Sequence, residues 1–320
     1  MAPEPSPSPS ESDAPAASAV RPAFIDPAAL MKLASLELRI RAVVEGVWRG
    51  LHRSPFHGFS VEVTEYRSYS PGDDIRWLDW RLYARSDRHY VKKYEDETNL
   101  RCQLLVDESA SMAFKSGLYP LADKWSYQAV LAGTLATFLA GQGDAVGLTT
   151  FAQNISDHLP ARNRPGHLRR LIALLDRPPG GRDSQAGWAL ERVAESMRRR
   201  AMVVLLSDLL VDVQSCEAPL SGLRAAGHEV AVFQILDPAE RSLDLPEAAR
   251  LRDLETEERR FVDPRLARTD YLRAFEAHQT QIRGLCARLG IDFIPCSTDE
   301  PLELPLLSFL QRRSGRRGWR

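Results

Sequence analysis

The chain has 320 residues, 44% of them hydrophobic and 27% charged, which suits a substantial buried core in one large domain or two smaller ones. Its 42 basic residues face 43 acidic ones, a balance that argues against a chain-wide electrostatic partner such as nucleic acid. No run is long and apolar enough to span a bilayer, and Glu4, Glu11 and Asp13 stand where a secretion signal carries basic residues, so the cytoplasm is the expected compartment. Cys102, Cys216, Cys286 and Cys296 show no CxxC spacing, and buried thiols are expected rather than zinc ligands or disulfides.

Residues 1–25 form a Pro/Ala/Ser-rich tail with too few large apolar groups to offset the entropy of ordering. Asp26-Pro27 then reads as a helix cap. Leu30, Leu33, Leu36, Ile40, Val44, Val47, Trp48 and Leu51 recur at helical spacing, which predicts one amphipathic surface helix to about Leu51. Val61, Val63 and Glu65 alternate as in a short strand, Pro71-Gly72 marks a turn, and residues 89–95 read as a second extended segment. Between them Asp73, Asp74, Arg76 and Asp79 crowd beside Trp77 and Trp80. A metal site is one reading of these carboxylates; an arginine–carboxylate network with Arg76, Arg67 or Arg85 is the better one, since guanidinium forks match carboxylates.

Leu104-Leu105-Val106-Asp107-Glu108-Ser109-Ala110-Ser111 is a buried strand running into a loop of oxygens. Beyond it come an all-round apolar helix (121–140), a buried strand (144–151), a short edge strand (155–159) and a helix (165–175). A glycine-containing loop (178–184) leads to a helix over 189–200. Met202-Val-Val-Leu-Leu-Ser-Asp208 is a second apolar strand ending in an aspartate. A helix (216–226), a strand (229–236), a charged hairpin (249–262), a long helix (264–289), a strand (291–295) and a helix (302–310) complete the pattern before a basic tail, 311–320. Five arginines on that tail read better as a solvated end than as a nucleic-acid arm. The alternation of strands and helices predicts an α/β fold, a doubly wound, mostly parallel sheet, preceded by an N-terminal helix and a small β-rich extension over 26–100, with the main domain over 101–310.

Asp107-x-Ser109-x-Ser111 resembles the metal-ion-dependent adhesion site of von Willebrand factor A domains. A carboxylate and two hydroxyls make a hard-oxygen site suited to Mg²⁺ or Mn²⁺. The array Tyr69, Pro71, Gly72, Asp73, Asp74, Arg76, Asp79, Trp80, then Arg85 and Glu97, is similar to the signature of the family called domain of unknown function 58, in which it precedes an A-like domain. That resemblance implies a metal set of Asp107, Ser109, Ser111, Ser184 and Asp208. Serine stands at 184 where A domains usually carry threonine, and Asp183 competes for the role. The resemblance also implies a non-enzymatic module that captures an Asp or Glu of a protein partner through the metal, in an assembly linked to a MoxR-type AAA ATPase. A metal-free scaffold binding through residues 66–85 and a metal-assisted hydrolase are the competing expectations. None of the seven histidines lies in a catalytic signature, and no GxSxG or phosphate-binding lysine motif is present.

Overall fold

The computed structural model describes residues 24–53, 65–68, 83, 90–93, 100–117, 122–244, 249–252, 259–262 and 264–317. The tail before residue 24 and the extended segment expected over 61–64 lie outside the described residues. The N-terminal helix is two helices, α1 (Pro27–Leu30) and α2 (Leu36–Arg53), rather than one. The break is made by side chains: the Arg39 guanidinium donates to the carbonyls of Leu33 and Met31, and Ser35 Oγ accepts the Leu38 N–H. It shifts the buried stripe to Leu36, Ile40, Val43, Val47 and Leu51, and leaves Leu33 exposed. Strands β1 (Glu65–Ser68) and β2 (Tyr90–Lys93) pair antiparallel.

The main domain follows as β3 (Arg101–Asp107), α3 (Lys124–Gly141), β4 (Ala145–Phe151), β5 (Ile155–Arg162), α4 (His167–Leu175), α5 (Ala186–Ser196), β6 (Met202–Ser207), α6 (Val213–Ala225), β7 (Glu229–Leu236), α7 (Pro238–Ser242), the antiparallel pair β8 (Ala249–Arg252) and β9 (Arg259–Val262), α8 (Pro264–Leu289), β10 (Asp292–Ser297) and α9 (Glu303–Arg317). Six strands form one sheet in the order β10-β7-β6-β3-β4-β5, parallel except for the edge strand β5. This is the doubly wound α/β architecture the alternation predicts. The last helix runs on to Arg317 instead of stopping near 310, and Arg313 pairs with the buried Asp144 at 3.6 Å. Among the described residues no helix is long and apolar enough to cross a membrane.

Both sheet faces are covered, so β6 is apolar from Met202 to Leu206 and β3 from Leu104 to Val106, with no polar alternation. Leu104, Val106, Val204 and Leu206 point into the layer of α2, α3, α4 and α9; Leu105, Val203 and Leu205 point into that of α5, α6 and α8. Helix α3 is apolar all round because the sheet holds one side of it and α2 the other. The two helices cross so closely that a Cβ on Gly133 would lie 2.3 Å from Ile40 Cδ1. Each side chain buried this fully contributes about 1.5–3 kcal/mol.

Strand β3 hands the chain to β4 on one side, while β6 returns to its other side. The reversal of winding lies between β3 and β6, where a doubly wound sheet leaves a crevice beyond the strand ends.

Candidate functional site

Asp107 and Asp208 stand at that crevice, at the exits of two strands in direct register (Val106 opposite Leu206). Asp107 is 0% and Asp208 1% exposed. Asp107 Oδ1 accepts the Ser109 N–H at 2.9 Å, and Oδ2 accepts the hydroxyls of Ser184 at 2.6 Å and Ser207 at 2.7 Å. Ser109 Oγ lies 3.0 Å from Ser111 Oγ, and Asp208 directly follows Ser207, whose hydroxyl reaches Asp107. Hydrogen bonds therefore join Asp107, Ser109, Ser111 and Ser184, four of the five residues expected from the sequence, and Asp208 stands at the end of the neighbouring strand. Ser111 and Ser184 are half-buried and form its solvent side.

Backbone contacts fix the loops. Gly181 N–H donates to the Glu108 carbonyl at 3.0 Å and Ala110 N–H to that of Arg182 at 2.9 Å, tying the serine loop to the 178–184 loop. A Cβ on Gly181 would fall 2.0 Å from Ala152 Cβ and 2.9 Å from Glu108 O, so only glycine passes here. Of the two rivals at the end of that loop, Ser184 reaches Asp107, while Asp183 accepts from Gln153 Nε2 at 3.1 Å. Behind the site, buried Gln128 and Gln234 donate to the carbonyls of Asp107 (2.6 Å) and Asp208 (3.0 Å). Leu209 then turns the chain at φ 53°, a left-handed conformation that costs a leucine about 1–3 kcal/mol. Its N–H donates to Ser207 Oγ at 2.9 Å and its carbonyl pairs with His278 Nε2 at 2.8 Å.

A lysine completes the cluster. Lys124, 0% exposed, places its ammonium 2.8 Å from Asp208 Oδ2 and 2.6 Å from Glu240 Oε1. Burial works against its charge, but Asp208 and Glu240 outweigh burial and hold its pKa above the ordinary lysine value. Burial likewise disfavours the Asp208 carboxylate, and Lys124 overrides it, leaving Asp208 below the usual range. Glu240 stays above its ordinary value because burial exceeds what the shared lysine returns. Asp107 has hydroxyl and amide donors only. Burial, then repulsion from Asp208, pushes its pKa up to about 6.

The donor set fits a hard divalent cation. The side chains gathered there offer oxygen donors, and the 3.0 Å between the Ser109 and Ser111 hydroxyls equals the edge of an octahedron with bonds of about 2.1 Å, whose neighbouring ligands lie about 3.0 Å apart. Asp107 is a buried carboxylate with which no basic side chain among the described residues pairs. Among the described residues no group of three His, Cys, Asp or Glu side chains is arranged to hold a metal, so coordination here would depend on hydroxyls. His158, His167, His228 and His278 are engaged with Thr149, Val146, Ala201 and Leu209 respectively.

Sequence reasoning misses Ser207, Lys124 and Glu240. Lys124 leaves a trace, being the single charged residue in α3. Glu240 belongs to a legible capping box, Asp237-Pro-Ala-Glu240, but nothing local shows that it faces Lys124. The signature residues Tyr69, Pro71, Gly72, Asp73, Asp74, Arg76, Asp79, Trp80, Arg85 and Glu97 lie outside the described residues.

Residues 65–281 match the model of a family described as "Protein of unknown function DUF58". The chain belongs to the DUF58 family. Among its relatives are the uncharacterized proteins Rv1480 of Mycobacterium tuberculosis (strain ATCC 25618 / H37Rv) and Mb1516 of Mycobacterium bovis, each 32% identical over 301 residues and 92% of both chains. Among solved structures, this DUF58 protein is similar to the conserved hypothetical protein BatB from Bacteroides thetaiotaomicron (12% identity, TM-score 0.46, covering 68% of this chain and 99% of that one). It is also similar to the SpRpn10 VWA domain (13%, TM-score 0.39, 65% and 94%).

Proposed function

We propose that the protein is a non-enzymatic binding module that captures an Asp or Glu side chain of a partner protein through a divalent cation, Mg²⁺ or Mn²⁺, at the end of β3. The observation that carries this reading is the Asp107–Ser109–Ser111 cluster, with hydroxyls at octahedral spacing beside a buried carboxylate that no basic side chain pairs with among the described residues. Ser109, Ser111 and Ser184 would hold the ion. Asp107 accepts a hydrogen bond from the Ser184 hydroxyl, which leaves the lone pairs of Ser184 Oγ free for an ion. Neutral hydroxyl ligands leave the bound ion with net positive charge, which is the chemistry that attracts a carboxylate. Within this proposal the partner is a MoxR-type AAA ATPase, as the family resemblance implies.

A second reading, a scaffold that binds partners without metal, is favoured by the Lys124–Asp208 ion pair, which already supplies one internal cation. Calorimetric titration with Mg²⁺ and Mn²⁺ separates the two. Saturable binding by the wild type, abolished in the Asp107→Ala/Ser109→Ala double variant, is the expected result. Absence of wild-type binding at millimolar metal, together with partner capture that survives chelation, would leave the scaffold.

A further inference from the structure

The position of Lys124 is not explained by its helix. It is the first residue of α3, capped by Asp123, at the end where helix dipoles favour anions and disfavour cations. It is also wholly buried, which lysines almost never are unless paired. Its partners explain its survival there, with Asp208 at 2.8 Å and Glu240 at 2.6 Å. Glu240 is itself fixed, since its second oxygen accepts the Asp237 N–H at 2.9 Å. Asp208 pairs with the ammonium and directly follows Ser207, whose hydroxyl donates to Asp107 Oδ2 in the serine cluster. A fixed cation thus sits one carboxylate away from the point where the serine hydroxyls converge.

We infer that Lys124 is a specificity-determining residue of the site, an internal counter-cation that holds Asp208 in place and opposes entry of a divalent ion. This rests on the metal reading above. The ammonium neutralises the carboxylate that would otherwise draw the ion in, and like charges across one carboxylate repel in a medium that screens them weakly. The metal alone is therefore held weakly. A carboxylate from the partner restores the missing negative charge, so ion and partner bind together better than either binds alone. Glu240 works in the opposite sense to Lys124, because it offsets the ammonium.

The two side chains give opposite expectations in one experiment, calorimetric titration of the full chain with MnCl₂ alone. Lys124→Met is expected to tighten Mn²⁺ binding at least tenfold, and Glu240→Gln to weaken it about threefold or more, both directions following from Coulomb's law. Removing the lysine leaves two acids facing each other and threatens folding. The Lys124→Met/Glu240→Gln double variant, which keeps the wild-type net charge, is therefore the second test; with Asp208 released it binds more tightly than the wild type. Saturable binding by Lys124→Met or the double variant where the wild type shows none also supports the inference. Wild-type binding that neither lysine variant tightens overturns the inference and leaves the metal site standing. Absence of binding by every folded variant at millimolar Mn²⁺ overturns the metal reading itself.

Discussion

The aspartates that end β3 and β6 are buried to the same depth, face the same crevice and lie in neighbouring strands, yet their charges are handled differently. Asp208 is neutralised by a lysine; Asp107 is surrounded by the hydroxyls of Ser184 and Ser207 and one amide. Donors of that kind satisfy hydrogen-bonding capacity without cancelling charge, and the pKa values diverge, Asp107 up to about 6 and Asp208 below its ordinary value. Geometry brings the pair together, but among the described residues only Asp208 has a basic side chain beside it.

Isosteric neutralisation breaks this asymmetry most directly. Asp208→Asn removes one of the two carboxylates that hold the buried Lys124, and breaking a buried pair costs about 3 kcal/mol or more. Asp107→Asn removes a charge that burial already disfavours and sacrifices about one hydrogen bond, so its loss is about 1 kcal/mol. Urea denaturation in the presence of chelator measures both, and equal losses would contradict the contrast. Gly181→Ala comes next. The added methyl overlaps Ala152 and the Glu108 carbonyl, and overpacking of this kind costs about 1–3 kcal/mol. Because Gly181 fixes the loop that carries Ser184, the same substitution is expected to lower Mn²⁺ affinity more than Asp183→Ala does.

The smallest effect comes from a third buried carboxylate, remote in sequence and treated like Asp107. Glu303 is 1% exposed; Oε1 accepts the Ile25 N–H at 3.0 Å, and burial lifts its pKa above the ordinary value. A raised folded-state pKa contributes stability that is full below the unfolded value and disappears as pH rises through the folded value. Glu303→Gln keeps the acceptor and removes the charge. The variant should match the wild type near pH 4 and exceed it at pH 7, and denaturation midpoints measured across that window check the trend.

Much of the fold and of the site is legible in the sequence because a buried parallel strand announces itself twice, by an unbroken apolar run and by the polar residue at which it stops. Asp107 and Asp208 are such residues, and Ser109 and Ser111 follow at every second position. Lys124 is not legible in that way, since its meaning depends on Asp208 and Glu240, 84 and 116 positions away. The break after α1 carries no proline or glycine and is made by Arg39 reaching back. The continuation of α9 to Arg317 depends likewise on a distant acid, Asp144, paired with Arg313. Helix α5 begins three residues before the expected start and ends before Arg198–Arg200. Local pattern reports what each segment buries; it does not report which charge waits on the far side of the sheet.

The Ser207 hydroxyl reaches Asp107 across 100 positions of sequence. During synthesis Asp107 therefore exists long before the strand that completes its surroundings. Until β6 docks against β3, Asp107 lacks the Ser207 hydroxyl and Lys124 lacks Asp208. The closure entropy of so long a loop grows only slowly with its length, so thermodynamics permits the delay. A ligand bound at this crevice would then stabilise only chains whose central strands are already paired.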